Sequence, residues 1–539
     1  MSDEQEKLGT VPESGTVPNF SPWKPKFNPW IIAITVTLAT FMEVLDTTVT
    51  NVSLPHIAGN LSATTDEAAW ILTSYLVSNA IVLPVSGWVM MLIGRKKFYM
   101  MCVALFTAAS ALCGFAPSLA MLVTSRIIQG LGGGGLQPSE QAILVDTFPP
   151  EKRGMGMAVY GVAVVCAPII GPTLGGWITD NFSWRWIFFI NIPVGILSLL
   201  LTYHIVEDPP YIKRPDKGFK IDYFGIILLT FGMGFLQIML DRGERDDWFS
   251  STFIMICAAI SGLSILSAIL WETKVKNPVI ELSLYKDRNF TIANLTMLLL
   301  GFALFGSTVL LPLYLQTLMG YSATLSGMVL SPGGFVTIVM MPIVGLLLGK
   351  WDAKWLVIIG VVTACFSLYK MAHFDLNINY MTAVTARMIQ AFGLAFLFIP
   401  INVAAFAFVP KDKSNAATSL INLARNIGGS TGISIATTIL ARRAQFHQSI
   451  LSSRITPYNP EVQTFLNRAT AMGVYHGSTQ IQASHQAWGM LGGFLARQSQ
   501  MLTFLDAFWF LGASFFLLVP LLLFMKKPPA KKPGEMSFH

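Results

Sequence analysis

The sequence predicts an all-helical, polytopic membrane protein of fourteen spans, built as two related six-helix halves with two further helices between them. Three observations predict it: long continuous apolar runs, an alternation of charge between successive loops, and an internal repeat. The 539 residues are 53% hydrophobic and only 12% charged, with mean hydropathy +0.58. Soluble domains carry about a quarter charged residues, so a water-soluble fold is excluded. A β-barrel is excluded too, because its strands alternate over about ten residues, whereas a membrane helix needs about twenty in an unbroken run.

Taken in order, the first 28 residues are polar, hold Asp3, Glu4 and Glu6, and lack a short apolar core followed by a cleavage site; insertion is expected to rest on an uncleaved first helix. Apolar stretches then run at 29–53, 67–93, 98–115, 119–144, 154–179, 184–205, 221–241 and 250–271. After a polar break from Lys274 to Arg288 come spans near 289–316, 323–349, 354–372, 379–408, 414–441 and 501–525. The expected division is a tail (1–28), a first half (29–205), a linker with two inserted helices (206–288), a second half (289–525) containing a long outer loop (442–500), and a tail (526–539).

Lys and Arg in short loops favour the cytoplasm, which tests this count. One set of alternate loops holds Arg95, Lys96 and Lys97; Lys152 and Arg153; Lys213, Arg214, Lys217 and Lys220; Lys274, Lys276, Lys286 and Arg288; Lys350 and Lys354; and Lys411 and Lys413. Both tails join it through Lys7, Lys24, Lys26, Lys526, Lys527, Lys531 and Lys532, while the opposite short loops offer only Arg185, Arg242, Arg245 and Lys370. Both termini are therefore expected in the cytoplasm. The net charge of +7 resides mainly in loops, which argues against nucleic acid as a partner.

The repeat pairs the first six spans with the last six. Pro84 and Gly87 recur as Pro342 and Gly345, an offset of 258; Arg126-x-x-Gln129 recurs as Arg387-x-x-Gln390 and Gly171 as Gly432, both offset by 261. Two halves of like orientation are the parallel repeat of secondary transporters, whose substrate site lies between them near the bilayer midplane. A channel would sooner show rings of selectivity residues, and an enzyme a His, Cys or carboxylate cluster. The five cysteines lie in apolar stretches and the histidines at loops or span ends, without metal-ligand spacing. Gly130 to Gly135 is glycine-rich, but no Lys-Ser or Lys-Thr follows; close helix packing explains it better than a phosphate loop. No cofactor or metal is expected, and the energy source is expected to be an ion gradient.

Charge inside the bilayer is costly and marks function. Glu43 and Asp46 share a face of span one at helical spacing, about 4.5 Å apart along the axis. Asp46 and Arg126 of span four both fall in the outer half, where they could meet. Burial favours the neutral acid and a nearby guanidinium the carboxylate, so a motion that separates them couples a proton to conformation. A static ion pair joining spans one and four is the competing reading. Gln129, Glu140, Asn422 and Arg425 are candidates for gate or substrate contact; Arg425 could hold an anionic substrate or a helix terminus. Gly171, Pro172, Gly175 and Gly176 combine a missing backbone donor with flat surfaces, suited to a hinge or to close packing.

These residues also carry a resemblance. Leu45-Asp46-Thr47-Thr48, Arg126-Ile127-Ile128-Gln129-Gly130, Gly171-Pro172-Thr173-Leu174-Gly175-Gly176 and Trp184-Arg185-Trp186 through Asn191-Ile192-Pro193 resemble the fourteen-span drug:proton antiporters of the major facilitator superfamily, and among them the EmrB-like multidrug efflux pumps. Leu240-Asp241-Arg242-Gly243 and Asp247-Trp248-Phe249 are similar to that branch's loop after span seven.

The resemblance implies Asp46 as the proton-responsive carboxylate, Arg126 as its partner, and Gly87, Gly94, Arg95 and Lys96 as the cytoplasmic loop motif. It implies proton-driven export of hydrophobic or amphipathic drugs and toxins from an inner membrane, with a periplasmic adaptor and an outer-membrane channel as partners. The loop at 442–500, of formal charge +4 and with Asn459-Pro460 opening a helical pattern, is the expected docking element; a solvated cap is the alternative. One departure stands out: the family's loop after span two carries an Asp four residues after the first Gly, where this chain has Met91. A dedicated exporter of an endogenous lipid, fatty acid or siderophore and a non-transporting receptor or scaffold are the rival functions.

Overall fold

The computed structural model describes residues 25–149, 152–209, 221–406, 409–410, 413–456 and 458–523. The C-terminal tail, all but 25–28 of the N-terminal one, and the loop lysines and arginines at 213, 214, 217, 220 and 411 lie outside the described residues. In chain order the helices are α1 (Pro29–Asn60), α2 (Thr65–Ile93), α3 (Arg95–Phe115), α4 (Leu119–Gly133), α5 (Leu136–Thr147), α6 (Arg153–Asn181), α7 (Trp186–Phe189), α8 (Asn191–Ile205), α9 (Tyr223–Arg242), α10 (Thr252–Glu272), α11 (Arg288–Thr317), α12 (Ala323–Leu347), α13 (Ala353–Met371), α14 (Tyr380–Ala405), α15 (Ser414–Ser453), α16 (Pro460–Tyr475), α17 (Gln480–Phe516) and α18 (Leu518–Leu523).

Local chemistry starts them where the sequence allows. Asn28 caps α1 through the amide of Trp30, with Pro29 at the first turn where its missing N–H costs nothing. Thr64 and Glu67 close a capping box on α2, as Thr479 and Gln482 do on α17.

Among the described residues, twelve helices are individually long and apolar enough to cross a bilayer. The other two expected spans have physical reasons for failing that test. Span four is broken into α4 and α5 at the glycine run: a Cβ on Gly130 would meet the Tyr75 carbonyl at 2.5 Å, and one on Gly132 would meet the backbone of α3 at 2.7 Å. Those glycines let α4 press against α2 and α3, and they weaken the helix beyond them. Span thirteen, α15, is a single helix of 40 residues whose buried face is polar, including Ser414, Asn415, Thr418, Ser419, Asn422 and Arg425. Counting both, the fourteen-span arrangement is accounted for.

Packing repeats as the sequence does. Helix α1 lies on α6 and α11 on α15; α2 and α3 flank α4, and α12 and α13 flank α14. The halves meet through α2 with α15 and α6 with α12, while α9 and α10 pair with each other and α9 also touches α2 and α15. Three expected boundaries move: α1 continues through Pro55 to Asn60, α15 runs on to Ser453, and the last span begins at Gln480. The outer loop is thus largely helical, with α16 packed on the first turns of α17.

Candidate functional site

At the centre of the first half Arg126 of α4 is fully buried and donates from Nη1 to Asp46 Oδ2 of α1 at 2.5 Å. A buried charge is tolerated only when paired and hydrogen-bonded, and this one is surrounded. Gln129, one turn on, accepts from Arg126 at 2.7 Å and donates to Asp46 Oδ1 at 3.1 Å. Asn191, at the start of α8, donates to the same oxygen at 2.7 Å. The guanidinium lies over the Tyr75 ring at 4.3 Å and its Nε donates to the Ile71 carbonyl. Gln129 therefore belongs to the ion pair's shell.

Glu43 lies one turn along α1 and is 4% exposed. It accepts from Tyr75 Oη at 3.0 Å, Asn79 Nδ2 at 3.3 Å and Gln137 Nε2 at 2.7 Å. The Gln137 carbonyl accepts from Tyr160 Oη at 3.1 Å and from the Arg425 guanidinium of α15. Arg425 also donates to Tyr160 at 2.6 Å and to Asn422 at 2.9 Å, and Asn422 donates to Gln141 at 2.9 Å. One amide side chain thus joins a carboxylate of the first half to a cation of the second. Glu140 does not join that chain: it is fully buried, its Oε1 accepts from Thr37 at 2.5 Å, and it has no exposure to hydrate it.

The loop motif lies where α2 meets α15. Gly87 sits against the Asn415 carbonyl and Ser419, and Ser86 Oγ is 2.7 Å from Ser419 Oγ. Arg95 pairs with Asp146 at the end of α5 and donates to Asn415 Oδ1 at 2.5 Å. The carboxylate missing at Met91 is thus supplied to Arg95 by another helix. Gly94 takes φ +92° at the corner between α2 and α3, a conformation that favours glycine. Lys96 donates to the Tyr203 carbonyl and, through its backbone, to Asp208. Gly171 and Gly175 lie against Thr48 and Val49 of α1, Gly176 faces open space, and α6 runs unbroken through Pro172.

The second half repeats the constellation with one change. Arg387, buried in α14, donates to Gln390 at 2.5 Å, and Gln390 donates to Ser307 Oγ of α11 at 2.8 Å. Ser307 stands 261 residues after Asp46, the offset that relates Arg126 to Arg387. Sequence reading passed over Tyr75, Gln137, Tyr160, Asp146, Asn415 and Ser307, and quoted Asn191 only within the motif that ends at Pro193 without giving it a role. For Ser307 the repeat offset was the available signal, and for Gln137 the helical spacing to Glu140; the rest had none beyond polarity in an apolar setting.

Two six-helix halves that meet through buried hydrogen bonds of amide, hydroxyl and guanidinium groups are the architecture of a secondary transporter. The chain belongs to the Major Facilitator Superfamily, whose family model matches residues 36–433. It is 37% identical to the multidrug export protein EmrB of Escherichia coli strain K12 over 510 residues, 94% of this chain and 98% of that one. It is 35% identical to the fatty acid resistance protein FarB of Neisseria gonorrhoeae, over 96% of this chain and 99% of that one. Among solved structures, the proton:xylose symporter XylE superposes with a TM-score of 0.60 at 14% identity, over 93% of this chain and 96% of that one, a likeness of fold.

Proposed function

We propose that this protein exports hydrophobic or amphipathic drugs and toxins in exchange for protons by alternating access. The observation that carries the reading is the Asp46–Arg126 pair, fully buried and closed in by Gln129 and Asn191. Buried alone, a pair of this kind is weak evidence for stability; placed between helices that must move relative to one another, it is suited to coupling. In the contact seen here Arg126 donates to the Asp46 carboxyl group. Parting of the two leaves an acid in an apolar interior, where the neutral form is favoured and a proton is taken up. Gln137 then carries the state of Glu43 to Arg425 across the interface between the halves. Gly171, Pro172, Gly175 and Gly176 let α6 move against α1, and Asn422 and Arg425 meet the substrate.

The division into residues 29–205, 206–288 and 289–525, with both termini cytoplasmic, belongs to the same proposal. So does membership of a tripartite assembly. The hairpin of α16 and α17 exposes Met472 and Phe494, apolar groups suited to an adaptor. The similarity to FarB supports a second reading, in which the cargo is a fatty acid.

The test is purified protein in vesicles with an imposed pH gradient. Drug export predicts gradient-driven accumulation of a lipophilic drug, abolished by a protonophore, with competition between chemically unrelated compounds. Accumulation of fatty acids alone supports the second reading, and movement of neither overturns both.

A further inference from the structure

The two inserted helices do more than fill space. Helix α9 is pinned to both halves: Thr73 of α2 donates to Asp241, and Ser430 of α15 donates to Gln237 at 2.9 Å. Beyond its end, Trp248 donates to Thr438 at 3.0 Å and Asp247 pairs with Arg442 at 2.9 Å. Beneath this roof lies a cavity of about 450 Å³, within the range of small-molecule sites.

Its walls are apolar on the bundle side, with Leu76 and Phe305 among them, and its polar groups converge from α9 and α15. Gln237 and Ser434 are each 4% exposed, and the Ser434 hydroxyl has no hydrogen-bond partner. Asp241 and Glu244 against Arg245 leave the lining with one excess negative charge.

We infer that this cavity is a binding subsite for lipophilic cations, closed by α9 and the loop after it on the side of the bundle where α2 meets α15. Delocalised positive charge matches the acidic excess, aromatic substituents match Leu76 and Phe305, and the Gln237 amide supplies a hydrogen bond to a polar substituent. The inference rests on the export reading and extends it, since it names a substrate class and a place distinct from the Asp46–Arg126 centre.

The experiment is equilibrium dialysis of tetraphenylphosphonium against the purified full-length protein, with neutral triphenylphosphine oxide as the uncharged comparison. Wild type is expected to bind the cation saturably. Asp241→Asn should weaken it about tenfold, the loss of one nearby charge, and leave the oxide unchanged, while Ser434→Phe should fill the cavity and abolish binding of both. If Asp241→Asn fails to fold, Glu244→Gln reads the same charge from the rim, with a smaller loss for the cation alone. Equal cation binding by wild type and the variants, or none by wild type, overturns the subsite. Vesicle transport measured on the same preparations separates the two claims: drug accumulation without cavity binding leaves export standing, and cavity binding without accumulation of any drug leaves the subsite standing.

Discussion

Gln137 is the most informative single residue to change, because its two ends answer to different halves of the molecule. Gln137→Leu removes the donor to Glu43 and the acceptor to Arg425. Glu43 keeps Tyr75 and Asn79, and Arg425 keeps Tyr160 and Asn422, so each loses one bond to a charged group. Such bonds are worth about 1.5–3 kcal/mol each. Only the Arg425 bond crosses from α15 to α5, so the arrangement in which the halves meet should be weakened by about 1.5–3 kcal/mol, roughly ten- to a hundredfold in its population against any arrangement that has already parted α5 from α15. Double electron–electron resonance between labels on α5 and α15 reads that ratio directly. Gln137→Glu, which keeps an acceptor for Arg425 but sets it against Glu43, should fall between. A distance distribution unchanged by Gln137→Leu, with transport intact, would refute the bridge.

Further outcomes follow from the same geometry. Arg126→Gln strands a buried carboxylate and should cost about 3–5 kcal/mol, whereas Arg387→Gln leaves only the Gln390 carbonyl without its donor and should cost about 1.5–3 kcal/mol; thermal unfolding in detergent ranks them. Glu281, outside the membrane, is pushed up by burial, but Lys413 at 2.7 Å and Ser283 outweigh this and hold it below its ordinary 4.5. Its contribution, about 0.5–1 kcal/mol for a partly exposed pair, is thus fully present above pH 4.5 and lost as pH falls further. Glu281→Gln should accordingly unfold earlier than wild type at pH 7 and together with it at the acid end of a melting series. Met472→Asp with Phe494→Asp should leave vesicle transport unchanged and reduce drug resistance of cells that also make the adaptor and channel; full resistance would remove the hairpin as docking element.

Much of the architecture was legible because a bilayer imposes simple rules. Continuous apolar runs marked spans such as 98–115 and 154–179 within a few residues, and a constant offset exposed the repeat. Where polarity was local the rules lost their grip. Nothing in hydropathy required α15 to run on to Ser453 or α17 to start at Gln480, since their outer turns are solvated helix, with Thr479 capping α17 and Asn459 capping α16 between them. The Asp46–Arg126 contact was legible because two opposite charges at equal depth have few alternatives. Gln137 was not, because a neutral amide gains its meaning only from what α6 and α15 bring to it. Asp146 was hidden for a different reason: it pairs with Arg95 from the end of α5, a helix far along the chain from the loop motif that holds Arg95.

The central claim is that Asp46 carries the proton that drives export. In vesicles with an imposed pH gradient, drug accumulation and lumenal pH recorded together for wild type and Asp46→Asn test it directly. The account predicts that wild type moves drug and protons in opposite directions, and that the variant binds drug yet performs neither gradient-driven accumulation nor proton release. Proton-linked accumulation by Asp46→Asn at the wild-type rate would contradict it and return the Asp46–Arg126 pair to a structural role.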